Sequence, residues 1–267
     1  KLPVLEERVK LEAGLRYTYE DRWFANRQVT TIPVGSGTSV TGLPVGNTTT
    51  FPYTSDSTTF DDLSPMGRVS FQATQDLLTY FSISRGFRAG GFNGRASNTS
   101  AFQPYDSETL LSYEAGFKLQ AFENRARLNA TGFFSDYEDM QRNVLVPAGA
   151  GTTAIVQNAA NAEIWGAEIE LVALPLEGVR VDASYGLALG EFKDYIDYDQ
   201  ALAANRDYSD ERSLSNAPEH DLHIGAQYSL PSFSWGTIVA RIDYSWQDAT
   251  LLQNGDDPVP KFGAPLV

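Results

Sequence analysis

The chain contains no cysteine. That absence excludes a disulfide framework, a thiolate metal site and a cysteine nucleophile together. Positive charge is also scarce: 20 Lys and Arg stand against 34 Asp and Glu, for a net charge of −14. A nucleic-acid binder needs a basic stripe to neutralise phosphates, and the balance here runs the other way. No run of about 18 apolar residues occurs, so no segment reads as a membrane-crossing helix. A membrane barrel stays possible, because barrel strands keep one polar face and a low mean hydropathy; here it is −0.28. No signal peptide is read at Lys1, which fits a processed chain or a piece of a longer one.

What the chain has in quantity is 22 Gly, 15 Phe, 13 Tyr and 4 Trp. Glycine serves turns, and aromatics favour strands. The segment Ser107–Gln141 shows how they are used. Leu111, Tyr113, Ala115, Phe117 and Leu119 fall on one face, opposed by Ser112, Glu114, Gly116, Lys118 and Gln120. After a short polar break at Phe122–Asn124, Ala126, Leu128, Ala130, Gly132 and Phe134 alternate with Arg125, Arg127, Asn129, Thr131 and Ser135. A strand changes face at every residue, so this is a hairpin with one apolar side. Its arms run to about twelve residues, against about five or six for a typical strand.

The pattern recurs. Strands are predicted over Glu6–Glu20, Met66–Thr74, Leu77–Arg85, Ile155–Ala173, Val179–Leu189, Leu222–Tyr228 and Ile238–Trp246. With the hairpin arms they make about nine, and their apolar faces carry no charge. Connections alternate in length. Gln75–Asp76, Phe122–Asn124, Leu174–Gly178 and Pro231–Gly236 are short. Asp21–Ser64, Gly86–Asp106, the stretch near Pro147–Thr153, the acidic Glu191–Pro218 and the segment after Asp248 read as longer loops. Short turns at one end and long loops at the other are the asymmetry of an outer-membrane barrel. The fold class expected is an all-β antiparallel up-and-down meander. A passive porin-like channel and a soluble β-sandwich binding module remain as rivals, since a sandwich core also excludes charge.

Five motifs narrow this. LTYFSISRGFRAGGFN begins at Leu78, and Tyr113-Glu114-Ala115-Gly116-Phe117-Lys118 follows. NATGFFSDYEDMQ begins at Asn129, QNAANAEIWGAEIEL at Gln157 and SNAPEHDLHIGAQYSL at Ser215. In this order the sequence resembles the barrel region of TonB-dependent outer-membrane receptors, over roughly Glu6 to Asp248. The resemblance implies part of a 22-stranded barrel in the bacterial outer membrane. It also implies import of a scarce ligand such as a ferric siderophore, cobalamin or a glycan, driven through the TonB complex. The partners implied are outer-membrane lipid, a plug domain, TonB and a small-molecule ligand. No plug, TonB box or terminal aromatic strand is read in this chain, so a middle-to-late barrel segment is expected.

Candidate ligand contacts on the long-loop side are Arg88, Phe92, Tyr105, Tyr195 and Tyr198. Arg88 and Phe92 lie in a Gly-rich stretch with no helix after it, which argues against a phosphate-cradling loop. Tyr195 and Tyr198 lie in EFKDYIDYD, which lacks the Gly and terminal Glu of a calcium loop. His220 and His223, three apart on a strand, point to opposite faces and do not join in one metal site. Glu168 and Glu170 share a face and are expected to pair with Lys118, Arg125 and Arg127 in a charge ladder. Asn47 and Asn98 match a glycosylation pattern but mean only polar loop. No cofactor, metal or catalytic constellation is expected.

Overall fold

A computed structural model describes residues 8–31, 47–94, 101–148, 151–215, 217–231 and 233–250. Its strands are β1 (Val9–Thr31), β2 (Asn47–Gln72), β3 (Leu77–Arg88), β4 (Gly91–Phe92), β5 (Pro104–Tyr105) and β6 (Glu108–Ala121). They continue with β7 (Ala126–Ala148), β8 (Gly151–Ala173), β9 (Val179–Asp199), β10 (Ala204–Asp207), β11 (His220–Ser229) and β12 (Val239–Gln247). Nine of them form one antiparallel meander in the order β1-β2-β3-β6-β7-β8-β9-β11-β12, with β10 paired on β9 and β4–β5 forming a separate ribbon. Arg95, Asn98 and the segment after Thr250 lie outside the described residues.

The short turns hold as expected. Phe122, Glu123 and Asn124 all take positive φ, at 55°, 56° and 65°, and the Arg125 N–H closes the turn onto the Phe122 carbonyl at 3.1 Å. Gly178 has φ +76°, and a Cβ there would lie 2.4 Å from the Ser229 carbonyl oxygen. Only glycine combines that backbone with that approach.

Three of the predicted long loops are strand over part of their length. β1 runs on through Asp21 to Thr31, and β2 begins at Asn47 rather than near Met66. β9 extends through Glu191 to Asp199, so the predicted acidic loop is strand for nine residues before β10 returns along it. The stretch near Pro147–Thr153 is likewise strand on both sides. These extensions were hidden because alternation comes from an apolar surface on one side. Where both faces meet water, Thr, Ser and charged residues fill both, and the period-two signal disappears.

Register locates the change. Across β7, β8 and β9 the apolar positions align as Ala126–Ala173–Val181, Leu128–Leu171–Ala183, Ala130–Ile169–Tyr185, Gly132–Ala167–Leu187 and Phe134–Trp165–Leu189. The next row is Asp136–Glu163–Glu191, with Lys193 bridging Asp136 at 3.7 Å and Glu163 at 3.0 Å. From Ala126 to Asp136 is about 34 Å of strand. At a tilt of about 45° that is about 24 Å of height, matching an apolar barrel band of about 25 Å. Tyr113 and Phe134, with ring centroids 6.3 Å apart, lie at its upper edge beside Trp165. Above the band lie two small apolar clusters: Met140, Val144, Ala159, Ala160, Ala162, Phe192 and Tyr195, and Ala101, Phe102 and Ile155.

Candidate functional site

The face opposite the apolar band is a hydrogen-bonded polar wall. The Tyr80 hydroxyl lies 2.8 Å from Glu114 and 2.7 Å from Thr131, and the Arg68 guanidinium sits 4.1 Å over the Tyr80 ring. Gly116 makes room for this arrangement: a Cβ there would stand 2.6 Å from the Ala130 carbonyl and 2.8 Å from the Tyr80 hydroxyl. On β9, β11 and β12, Arg241 donates to Asp182 at 2.9 Å and to Asp243 at 2.5 Å across Gly225, with His223 3.5 Å from Asp182. The expected ladder from Glu168 and Glu170 to Lys118, Arg125 and Arg127 is not formed. Glu170 accepts from the Asn129 amide at 3.0 Å instead, and Arg125 donates to the Leu174 and Pro175 carbonyls.

Above the band, residues 89–94 and 101–107 lie across the polar face as a strap. At one end Arg22 of β1 donates to the Gly90 carbonyl at 2.6 Å, and Phe24 stacks on Phe92 and Phe102 at 6.1 and 5.9 Å. At the other, Asn93 exchanges two bonds with the Val156 backbone of β8, at 3.0 and 2.5 Å. Asn158 of β8 donates to the carbonyls of Asp106 (2.9 Å) and Asp139 (2.7 Å) and accepts from the Asp106 N–H at 2.7 Å. Gln141 of β7 donates to the Ala89 and Asp106 carbonyls at 3.0 and 3.1 Å. The strap thus joins the first strand of the meander to the sixth.

Glu108 anchors its exit. The side chain is 4% exposed and accepts from Arg88 (3.1 Å), the Tyr137 hydroxyl (2.8 Å) and the Gln141 N–H (2.6 Å). Burial, and secondarily the Glu108 carboxylate, push the Tyr137 hydroxyl up to about 12. Beside the strap opens a cleft of about 460 Å³ whose lining includes Arg16, Glu20, Arg22, Arg85 and Arg88. Arg22 pairs with Glu20, Arg85 with Asp62 and Arg88 with Glu108. Arg16 forms no ion pair with a described residue. Three of the four guanidiniums thus carry a carboxylate partner, which leaves the cleft one net positive charge, at Arg16, within a chain of net charge −14. A larger cleft of about 530 Å³, lined by Arg125, Glu177 and Arg180 among others, sits at the short-turn end, away from the strap.

Of the predicted contacts, Arg88 lines the cleft with a side chain 70% exposed. Phe92 and Tyr105 form the strap ribbon, with Phe92 stacked against both Phe24 and Phe102. Tyr198 is half-buried on the β9 extension, far along the chain from the cleft. Tyr195 corrects the reading: it is 0% exposed, edge-on to Phe192 at 5.0 Å, with Arg212 4.4 Å over its ring. As placed it packs the upper cluster and offers no free ring face. Beyond β10, the half-buried Arg212 pairs with the buried Asp197 of β9 at 2.8 Å. The Tyr195 and Ser209 N–H groups hold the Asp207 carboxyl below its ordinary range. His220 and His223 lie in separate groups, as their spacing requires.

Sequence reasoning missed Arg16, Arg22, Glu108, Gln141 and Asn158. The signal for Asn158 was present in QNAANAE, where Asn and Ala replace the large apolar residues of a lipid-facing strand.

The family model for the TonB-dependent receptor-like β-barrel matches residues 2–264. Among solved structures, the chain is similar to the ferric yersiniabactin uptake receptor FyuA from Yersinia pestis, with a TM-score of 0.63 and 15% identity over 90% of this chain and 31% of that one. It is also similar to BauA, the ferric preacinetobactin receptor from Acinetobacter baumannii (TM-score 0.58, 12% identity, 91% and 30% covered). A third is the ferric-catecholate import receptor Fiu from E. coli K12 (TM-score 0.50, 21% identity, 83% and 30% covered). The chain spans about a third of the length of each.

Proposed function

Because this chain belongs to the TonB-dependent receptor family, as part of its outer-membrane β-barrel, we propose that it forms wall and mouth of an energy-coupled importer of small anionic chelates, ferric siderophores first among them. The barrel band anchors it in lipid, and the polar wall faces the lumen. The observation that carries the ligand class is the arginine cleft beside the strap. With three of its arginines paired, the cleft keeps one unpaired guanidinium at Arg16 and an exposed one at Arg88, which together favour an anion, and guanidinium forks suit carboxylate and catecholate oxygens. The ferric-siderophore receptors among the solved structures support the same class.

In this reading Arg16 and Arg88 meet the ligand's charge, and Phe92, Tyr105 and Tyr198 line its approach. The plug and the TonB complex supply occlusion and energy from outside this segment. The chain moves its ligand without reacting it and is not an enzyme. The test is growth of iron-limited cells carrying the full-length receptor, with ⁵⁵Fe-labelled catecholate, hydroxamate and citrate complexes as probes. TonB-dependent uptake of at least one, weakened about tenfold or more in apparent affinity by Arg16→Ala with Arg88→Ala, is expected. Uptake that survives deletion of tonB, or that ignores both substitutions, overturns the proposal.

A further inference from the structure

Among the described residues, the pairing of β2 with β3 stops part of the way up. Its register runs from Gln72↔Leu78 to Met66↔Ser84 and ends there. Both strands go on. β2 stays paired to β1 as far as Asn47, and β3 stays paired to β6 as far as Arg88↔Glu108. The sequence explains the stop. The next position up β2 is Pro65, which has no N–H to donate, and proline within a sheet marks an edge. The wall therefore has a seam above Met66 and Ser84. Arg85 spans it, donating to the Asp62 carboxylate and, at 3.1 Å, to the Leu63 carbonyl.

The arginine cleft lies in this seam and takes its lining from both faces of the sheet. Arg16, Thr18, Glu20 and Arg22 alternate onto the polar wall. Arg85 and Phe87 share the parity of Phe81 and Ile83, which face outward in register with Ala115 and Tyr113. Pro65 shares the outward parity of Leu63, in register with Leu15 and Tyr17. Leu63, 51% exposed, and Phe87 flank the seam on its outer side. The first outward charge on β2 is Asp61, one outward position above Leu63. The outer lip therefore lies inside the apolar band, at its upper edge. A cleft for a wholly polar chelate would end at the lumen wall. This one joins a guanidinium end, at Arg16 and Arg88, to Pro65, Met66 and Phe87, and through them to the level of the hydrocarbon.

We propose that the cleft takes an amphiphile: an anionic chelate carrying an acyl chain. Its head sits on Arg16 and Arg88, and its chain leaves through the β2–β3 seam to lie along Leu63 and Phe87. Arg85 and Asp62 form the clasp that the chain passes. The inference rests on the anionic-chelate reading above and adds the tail to it. Each methylene moved from water into an apolar slot raises affinity about fourfold, so about two of them are enough for about tenfold.

The experiment is uptake by iron-limited cells carrying the full-length receptor, with folding of each variant checked by heat-modifiable gel mobility. The probes are a ⁵⁵Fe-labelled citrate hydroxamate and the same chelate bearing a dodecanoyl chain, the second also made with a photoreactive diazirine at the chain end. Half-saturation about tenfold lower is expected for the acylated form. The gain should disappear in Leu63→Asp with Phe87→Asp, and photolabel should fall on peptides holding residues 63–66 or 83–87. Partition of the chain into bulk membrane is the same in parent and variant, so it does not mimic that loss. Equal half-saturation for the two forms, a gain that survives the substitutions, or label elsewhere overturns the amphiphile. In those cases the anionic-chelate reading still stands if Arg16→Ala with Arg88→Ala weakens uptake of both forms. Dodecyl phosphate that competes with the acylated chelate as well as the unlabelled chelate does assigns the seam to membrane lipid and also overturns the proposal. If neither form enters in a TonB-dependent way, both readings fall.

Discussion

Ile169 offers a direct test of which face meets lipid. It is the middle of five outward positions on β8, between Trp165 and Ala173, and is 42% exposed. Four residues separate it from each end, about 13 Å of strand or about 10 Å of height. That places it near the midplane of a band about 25 Å tall. Arginine there is expected to cost about 2–4 kcal/mol, a fall of roughly thirty- to several-hundredfold in the folding equilibrium. Ala173→Arg makes the same change on the same face, at the lower edge, and should cost about 0–1 kcal/mol. Glu168→Arg is one residue away on the lumen side and should stay within about 0.5 kcal/mol. Urea unfolding of the full-length receptor in phosphatidylcholine vesicles, read by tryptophan emission, measures all three. A Glu168→Arg cost equal to that of Ile169→Arg, or no gradient between Ile169 and Ala173, would refute the assignment of faces and depth.

Glu108→Ala leaves the Tyr137 hydroxyl and the Gln141 N–H without their acceptor, and should destabilise the strap exit by about 3–5 kcal/mol. Faster amide exchange at Gln141 and a Tyr137 titration falling from about 12 toward the usual value are the readouts. Gly116→Ala drives a methyl to 2.6 Å from the Ala130 carbonyl and should cost about 1–3 kcal/mol, whereas Gly86→Ala, with its nearest neighbour at 3.8 Å, should be nearly neutral by the same unfolding assay. The β9–β10 hairpin should loosen in acid. The folded Asp207 carboxyl lies below its unfolded value, so its stabilisation is full above the ordinary carboxylate range near pH 4 and is lost as pH falls through the folded value. Amide exchange at Tyr195 should accelerate in that window in the parent and lose this pH dependence in Asp207→Asn.

The barrel portion was readable because lipid imposes a rule on every second residue. From Ala126 to Phe134 and from Trp165 to Ala173 each outward position is apolar or small, and the paired strands repeat it row by row. Short turns were readable from the breaks in that rhythm. Above the Asp136–Glu163–Glu191 row the rule lapses, so Thr31, Asn47 and Glu191–Asp199 did not announce themselves as strand. Tyr195 illustrates the consequence. In a loop its ring would be free to stack, but in a strand its direction is set by register, and register turns it onto Phe192.

From sequence alone came the fold class, the strand count, the polarity of turns and loops, and the absence of thiol or basic-patch chemistry. These follow from local composition and period, which a chain carries before it folds. Only the tertiary structure decided which charges meet. Arg16, Arg22, Arg85 and Arg88 come from two strands that are not neighbours in the sheet, and the strap is tied to β8 by asparagine contacts spanning 52 and 63 residues. Separations of that size leave no periodic trace. Register, and the strap laid across the polar face, bring the groups together.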